Sequence, residues 1–290
     1  VIRILDKSGL ALGLESLGFE PDMQSVFESL IEKPYGIVLV TGPTGSGKST
    51  TLYSALNRIR SPLKNVITLE DPIEYELLAG AANEMGITQV QMQPKIGLTF
   101  AAGLRSALRQ DPDVIMLGEI RDKETAETAM QAAMTGHLVL STLHTNDAPS
   151  ALGRLAEMGI DPYLTASTII GVLAQRLVRL LCPHCKEQYR PPLRALKNLF
   201  PNRQDISEAV FHRQKGCDRC QGIGYRGRQG VFELLTMTED LKQKINDSEH
   251  VPGIRKIAQS QGLRSLRENG MELVFRGLTT VEEISRVTVE

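Results

Sequence analysis

The sequence predicts a doubly wound α/β domain, with helices on both faces of a mostly parallel sheet, together with a four-cysteine subdomain and C-terminal helices. Three observations support this prediction. Short apolar runs alternate with helical patterns in the part of the chain that precedes the cysteines. Several runs are followed at once by glycine, hydroxyl-bearing or acidic residues, as expected of strands whose carboxyl ends form a ligand site. Two Cys-x-x-Cys pairs follow this region.

Length and charge narrow the class of protein. A chain of 290 residues with 41% hydrophobic content can bury the core of one large domain with an appendage, or of two domains. The 33 basic and 34 acidic residues give a net charge of −1, so no long-range field favours nucleic acid or an anionic membrane. No apolar run is long enough to span a bilayer, and the first residues lack a secretory signal. We therefore expect a cytoplasmic protein with no nucleic-acid partner.

The first segment, VIRILDK at residues 1–7, alternates apolar and charged residues. This alternation predicts a strand, but no start signal or partner strand accompanies it. We expect the chain to be a piece of a longer protein.

The first strand of the sheet is predicted at residues 35–40 (YGIVLV), and a helical pattern runs to Ile59. A glycine-rich phosphate-binding loop is predicted between them. In such a loop the backbone N–H groups and the helix N-terminus surround phosphates, Lys48 reaches the β- and γ-phosphates, and the Ser49 hydroxyl binds Mg²⁺. The predicted ATP-binding residues are Gly42, Pro43, Thr44, Gly45, Ser46, Gly47, Lys48, Ser49 and Thr50.

Two further strands end in carboxylates. The apolar run 114–117 leads into Glu119, which at the carboxyl edge of the sheet can hold Mg²⁺ or its water, the role of a Walker B acid. A second strand from residue 65 ends in a cluster of Glu70, Asp71 and Glu74. This cluster is either a solvated turn or a group that polarises the attacking water. Its place after the strand that follows the phosphate-loop helix favours the second interpretation.

A third strand is predicted within residues 136–146 and ends at the same edge. His144, flanked by threonine and asparagine, is placed to sense the γ-phosphate, whereas His137 is interpreted as structural. Helices are predicted between these strands and after the last one, at residues 100–110, 124–134 and 148–158.

Five segments, in this order and spacing, resemble the type II/type IV secretion ATPase superfamily, and in particular the assembly ATPases of type II secretion and of type IV pili. They are GPTGSGKST, ITLEDPIEYE, LRQDPDVIMLGEIRD, TGHLVLSTLHTNDA and GVLAQRLVRLLCPHC. The resemblance implies a RecA-like P-loop NTPase core. It also implies that Glu74, the last acid of the LEDPIE box, is the general base, that Glu119 is the Walker B glutamate, and that His144 lies near the γ-phosphate.

The resemblance further implies that Arg3, at the end of a preceding domain, is an arginine finger. It gives a division into the end of a truncated clamp domain and linker at residues 1–20, an ATPase core at 21–180, a tetracysteine subdomain at 181–228 and a C-terminal strand and helical region at 229–290. The N-terminal clamp would be mostly missing, which fits the strand without a partner.

By the same resemblance, the protein acts as a homo-hexameric ATPase that uses ATP and Mg²⁺ to assemble a pseudopilus for type II secretion across the outer membrane. Its partners would be platform proteins, through which it associates peripherally with the cytoplasmic side of the bacterial inner membrane. Pilus assembly is the alternative. A nucleic-acid translocase with a zinc knuckle is a third hypothesis.

The chain contains four cysteines, and their two Cys-x-x-Cys turns favour one tetrahedral Zn²⁺ site formed by Cys182, Cys185, Cys217 and Cys220. Disulfides, free thiols and an iron–sulfur cluster remain alternatives, and His184 could replace a thiolate. Nearby basic residues are compatible with a nucleic-acid knuckle, but the near-neutral charge and scarce aromatic residues favour a structural, protein-contacting role. A strand and amphipathic helices are predicted after the cysteines.

Overall fold

The computed structural model describes residues 13–77, 86–190 and 210–288. The predicted first strand and Arg3 lie outside these residues. Within the described part of the chain, no helix combines the length and the apolar character needed to cross a membrane.

The chain divides into two compact units. The first unit consists of Val1–Gln175 and Glu233–Arg264, and the second of Arg176–Phe232 and Ser265–Glu290.

Nine strands are formed by the described residues. They are β1 (Gly36–Thr41), β2 (Val66–Glu70), β3 (Ile87–Gln91), β4 (Val114–Leu117), β5 (Leu138–Leu143), β6 (Ile169–Leu181), β7 (Glu187–Tyr189), β8 (Phe211–Arg213) and β9 (Tyr225–Thr236). Seven of them form one sheet in the order β3-β2-β4-β5-β1-β6-β9, and β7 and β8 form a separate antiparallel pair.

Six neighbouring strands of this sheet pair in parallel, in the order β3-β2-β4-β5-β1-β6. Their carboxyl ends therefore lie at one edge of the sheet. All residues of β1, β2, β4 and β5 are buried, which explains why these strands are mostly apolar and do not alternate with polar residues in the sequence. The predicted α/β class with a mostly parallel sheet is therefore confirmed.

Eight helices belong to the first unit as described. They are α1 (Pro21–Ile31), α2 (Lys48–Ile59), α3 (Phe100–Ala107), α4 (Lys123–Met134), α5 (Ala148–Glu157), α6 (Pro162–Thr168), α7 (Glu239–Asn246) and α8 (Val251–Ser260). Side-chain caps start several of them, because Asp122, Asp147 and Thr238 each accept a backbone N–H of the first turn.

Helix α3 is three residues shorter than the pattern 100–110 predicted. The chain leaves the helix at Leu108, and Asp111 adopts a left-handed conformation with φ of 51° immediately before Pro112. Between these points the N–H groups of Arg109 and Gln110 donate to the carbonyls of Ser106 and Ala107, three residues earlier, so the last predicted turn is of the tighter 3₁₀ type.

The second unit contains β7, β8 and the helices α9 (Leu266–Phe275) and α10 (Val281–Val287). Its most enclosed charge is Glu283, whose side chain is fully buried. Both Arg179 and Arg286 donate two or more hydrogen bonds to its carboxylate, and the backbone N–H of Arg179 adds another at 3.0 Å. Burial opposes ionisation, but these hydrogen bonds, first from Arg286 and then from Arg179, lower the pKa of Glu283 to about 2.

Candidate functional site

The predicted phosphate loop connects the end of β1 to the start of α2, so strand, loop and helix follow one another as the motif requires. Gly45 and Gly47 have φ of 79° and 92°, in the left-handed region that favours glycine. A Cβ placed on Gly45 would meet no atom within 4 Å, so this side of the loop is open. The loop can therefore admit a ligand above the N-terminus of α2.

Two polar groups of the loop are oriented as a phosphate ligand would need. The Lys48 ammonium donates to the carbonyl oxygens of Gly42 and Pro43 at 2.9 and 3.1 Å and so lies along the loop. The Ser46 hydroxyl is buried and has no hydrogen-bond partner among the described residues. An orphaned buried hydroxyl is costly, and these residues fit a nucleotide with Mg²⁺, which Ser49 on the first turn of α2 could help to hold.

Glu119 lies just beyond β4, and its side chain is only 13% exposed. Arg121 forms an ion pair with one carboxylate oxygen, and His144 Nε2 lies 3.5 Å from the other. Hydrogen bonding to Glu119 raises the pKa of Arg121. Thr142 fixes this corner, because its hydroxyl donates to the Gly118 carbonyl at 2.7 Å. The structure thus brings together two predicted site residues, Glu119 and His144.

The loop that carries His144 is also held by the end of β1. The hydroxyl groups of Thr41 and Thr145 are 2.7 Å apart, and the Thr145 N–H donates to the Thr41 hydroxyl at 2.9 Å. Thr41 immediately precedes the phosphate loop. The position of His144 is therefore fixed relative to that loop. His137, by contrast, lies before β5 and contacts the Ala132 carbonyl at 2.9 Å, in agreement with a structural role.

The three carboxylates after β2 have different environments. Glu70 is buried and accepts hydrogen bonds from the Tyr53 hydroxyl, from Thr68 at 2.6 Å and from the Gln89 amide at 3.0 Å. Burial and the hydrogen bond to Glu70 raise the pKa of Tyr53. Asp71 is exposed, and Glu74 is partly exposed. The cluster is therefore not a uniformly solvated turn, and Glu74 is more accessible than Glu70.

A recess of about 590 Å³ is lined by Arg121 and His144, the two residues that contact Glu119. Arg154 and Glu157 also line it and pair with each other at 3.0 Å. Its lining is therefore polar and carries charges of both signs.

The four cysteines converge. Their Sγ atoms all lie within 4.8 Å of one another, and three of the pairs are 3.7 to 3.9 Å apart. A zinc ion with Zn–S bonds of about 2.3 Å requires S···S distances of about 3.8 Å, whereas a disulfide requires about 2.05 Å. All four are free thiols. The cluster is therefore compatible with zinc and not with disulfides.

The thiols of the cluster differ in how readily they ionise. Burial and hydrogen bonds with the other three thiols raise the pKa of Cys185 to about 11, whereas backbone N–H groups favour the thiolate of Cys220. Burial opposes ionisation of Cys220, but the N–H groups of Cys217 and Gly224 each donate to its Sγ at 3.2 Å and lower its pKa to about 6. His184 is not a member of the cluster, and its ring instead contacts the Arg219 guanidinium at 3.0 to 3.1 Å. Four thiols alone form the cluster.

Sequence reasoning missed several residues of the site. Arg121 could have been found, because it stands two residues after Glu119 in an extended segment and can reach the same side. Tyr53 and Gln89 carried no signal, since their partner Glu70 belongs to another element.

A parallel sheet with a glycine loop before a helix, and with acidic and histidine residues at the neighbouring strand ends, defines a P-loop NTPase core. The chain belongs to the type II/IV secretion system protein family, whose model matches residues 1–286. The predicted membership is thereby confirmed.

Two curated relatives illustrate the similarity. The type IV pilus assembly ATPase PilB of Thermus thermophilus is 47% identical over 290 residues, which cover 100% of this chain and 32% of the relative. Type II secretion system protein E of Dickeya dadantii is 47% identical over 291 residues, which cover 100% of this chain and 56% of the relative. The chain thus spans about one third to just over half of their lengths.

Solved structures share the fold. The pilus retraction motor PilT with bound ADP superposes with a TM-score of 0.70 and 28% identity, covering 96% of this chain and 67% of that chain. The ATPase DotB of Yersinia pseudotuberculosis gives a TM-score of 0.68 and 26% identity, covering 96% and 62%.

Proposed function

We propose that this chain is the ATP-hydrolysing part of a motor that assembles a pseudopilus for type II protein secretion. One observation carries the proposal: the phosphate loop and the Glu119–His144 pair lie at the same edge of the sheet. The loop contributes the Lys48 ammonium and the buried Ser46 hydroxyl, which has no partner among the described residues. Secretion and pilus ATPases are the named relatives that cover the whole of this chain.

In the proposed site, ATP is the substrate, and its phosphates bind to the backbone of residues 42–47. Lys48 leaves the carbonyl groups of the loop to contact the β- and γ-phosphates. Ser49 and Glu119 would hold Mg²⁺, which neutralises charge on the phosphates when it is bound. The ion pair with Arg121 orients the Glu119 carboxylate.

Hydrolysis needs a water molecule in line with the γ-phosphorus. In our proposal Glu74 accepts a proton from this water. The water oxygen forms a bond to the γ-phosphorus, and the bond between the γ-phosphorus and the ADP oxygen breaks. His144 donates a hydrogen bond to the γ-phosphate from its place beside Glu119. The half-exposed Glu74 suits this role better than the enclosed Glu70.

The proposal includes residues and partners outside the phosphate site. Arg3 would act as an arginine finger from the preceding domain, with the chain divided at residues 20, 180 and 228 as predicted. The protein would work as a homo-hexamer on platform proteins of the bacterial inner membrane, and it would remain cytoplasmic and attach to that membrane only through them.

Zinc would stabilise the cysteine subdomain without taking part in catalysis. The four thiols are spaced for a tetrahedral ion. The subdomain would serve as a rigid protein-contacting element.

Pilus assembly is the second candidate, because a pilus assembly ATPase matches this chain at the same 47% identity as a secretion protein. The two differ in partner and not in chemistry. Binding of the purified protein to the platform protein of one system and not of the other would decide between them.

The test of ATP hydrolysis uses the full-length protein, with its upstream domains and its platform, and measures phosphate release. We expect Glu74→Gln to lower turnover by about a hundredfold or more while nucleotide binding remains. Glu76→Gln is the matched control, because Glu76 is exposed in the same segment and should retain turnover. Absence of turnover in the wild-type assembly, or full activity of Glu74→Gln, would refute the mechanism.

A further inference from the structure

Glu74 lies in a segment without helix or strand, between the end of β2 and residue 77. A general base must stay within hydrogen-bond reach of its water, yet an irregular segment has no ladder of backbone hydrogen bonds to hold it. The side chains that bind this segment therefore contribute to fixing where Glu74 lies.

Gln89 on β3 binds the segment at three points. Its Nε2 donates to Glu70 Oε1 and to the Tyr75 carbonyl, both at 3.0 Å, and its Oε1 accepts the Leu77 N–H at 2.7 Å. The amide thus uses both donors and its acceptor on residues that flank Glu74 on either side. The Gln89 side chain therefore holds both ends of the segment that contains Glu74.

Tyr53 on α2 binds the same segment from the phosphate-loop side. Its hydroxyl donates to Glu70 Oε2, and its ring packs edge to face on Tyr75, with centroids 5.7 Å apart and planes at 82°. Tyr53 follows Lys48 by five residues, about 7.5 Å along the same helix. The helix that begins with the phosphate-binding lysine is therefore tied to the segment that carries Glu74.

We propose that Tyr53 and Gln89 are positioning residues, which through Glu70 and Tyr75 set the distance between Glu74 and the phosphate loop. The inference rests on the proposed role of Glu74 as general base. Neither residue touches the reacting atoms. Their hydrogen bonds preorganise the base, and a small displacement of a catalytic group is enough to lower the rate strongly.

Thr68 provides a matched control within the same network. Its hydroxyl also donates to Glu70 Oε1, at 2.6 Å, but it lies on β2 two residues before Glu70, and its side chain makes no hydrogen bond to α2 or to residues 71–77. Thr68→Val therefore removes a donor from the same buried carboxylate without releasing the loop. Any effect that comes only from the buried charge would appear in this variant too.

The experiment compares Gln89→Met, Tyr53→Phe and Thr68→Val in the full-length protein with its platform. Phosphate release gives kcat and KM, and a fluorescent ADP analogue gives nucleotide affinity. We expect Gln89→Met to lower kcat roughly tenfold or more and Tyr53→Phe to lower it less, with nucleotide affinity within about twofold of wild type. Thr68→Val should keep kcat within about twofold.

A double variant separates this inference from the proposed mechanism. If Gln89 acts through Glu74, then adding Gln89→Met to Glu74→Gln causes no further loss of kcat. Unchanged kcat in Gln89→Met, alongside an inactive Glu74→Gln, would overturn the positioning role and leave the base intact. Equal losses in Thr68→Val and Gln89→Met would also overturn it. An active Glu74→Gln would overturn both.

Discussion

Glu119 at the edge of the sheet and Glu283 in the second unit are both largely removed from solvent, and both contact arginine. Glu283 is fully enclosed, with two guanidinium groups and a backbone N–H on its carboxylate. Glu119 has one guanidinium, and its second oxygen faces a histidine at the longer distance of 3.5 Å. A carboxylate can accept about four hydrogen bonds. The donors around Glu283 fill all of these positions, whereas those around Glu119 leave room for a ligand.

The same difference extends to the neighbours of the two residues. In the phosphate loop, the Ser46 hydroxyl is buried and has no partner in the part of the chain that the structure describes, and Lys48 binds loop carbonyls that a phosphate could replace. Near Glu283, Thr280 caps α10 and Arg179 also stacks on Tyr225 at 4.3 Å. The polar groups around Glu119 and the phosphate loop can therefore still bind a ligand, whereas those around Glu283 bind one another and stabilise the fold. The following variants test that difference.

The largest effect is expected from Cys182→Ser. A structural zinc site contributes on the order of 10 kcal/mol to folding, so loss of one of four ligands should release the metal and unfold the cysteine subdomain. Elemental analysis and thermal unfolding measure both. His184→Ala is the control and should retain the metal, because His184 lies outside the cluster. Wild-type protein without about one zinc per chain would contradict this expectation.

Lys48→Ala should come next. Removing the ammonium that we propose to contact the phosphates should lower turnover about a thousandfold, equivalent to about 4 kcal/mol of transition-state stabilisation. The free energy of unfolding should change much less than the activation free energy, because the carbonyls of Gly42 and Pro43 that Lys48 binds lie in the loop itself. Phosphate release and denaturant titration test the two halves of this prediction, with the exposed Lys33→Ala as control.

Glu283→Gln should show the opposite profile, with about 2 kcal/mol lost from the free energy of unfolding. The folded pKa of about 2 lies below the ordinary 4.5, so the charge stabilises the fold above pH 4.5 and this contribution is lost as pH falls from 4.5 towards 2. The stability difference between wild type and variant should therefore shrink over that range. Glu282→Gln, at an exposed neighbouring position, should change stability by less than about 0.5 kcal/mol.

The smallest effect is expected from Thr41→Val, which keeps the shape of the side chain and removes the hydroxyl that binds Thr145. We expect a loss of about 1 kcal/mol in stability and a severalfold lower turnover, because His144 is then held less firmly. Thr41→Ser restores the hydroxyl and should restore turnover. Equal activity of the two variants would show that the Thr41–Thr145 contact does not position His144.

The sequence predicted the parts of the site that depend on local order along the chain. The loop between β1 and α2, Glu119 after β4 and His144 after β5 are each marked by an apolar run followed by polar residues. Strand β3 was missed, because ITQVQ lies half-exposed at the edge of the sheet and contains no apolar run. Partners that are distant in sequence, such as Arg179 for Glu283 or Gln89 for Glu70, depend on strand register, which spacing does not reveal.

The edge-to-face contact between Tyr53 and Tyr75 also offers an optical signal. These 290 residues contain no tryptophan, so within them Tyr75→Trp would introduce a single indole, at the segment that carries Glu74. Its emission, excited selectively near the red edge of the absorption band, would report the polarity around this segment as nucleotide enters and leaves. Loosening of the loop could then be followed in real time and separately from phosphate release.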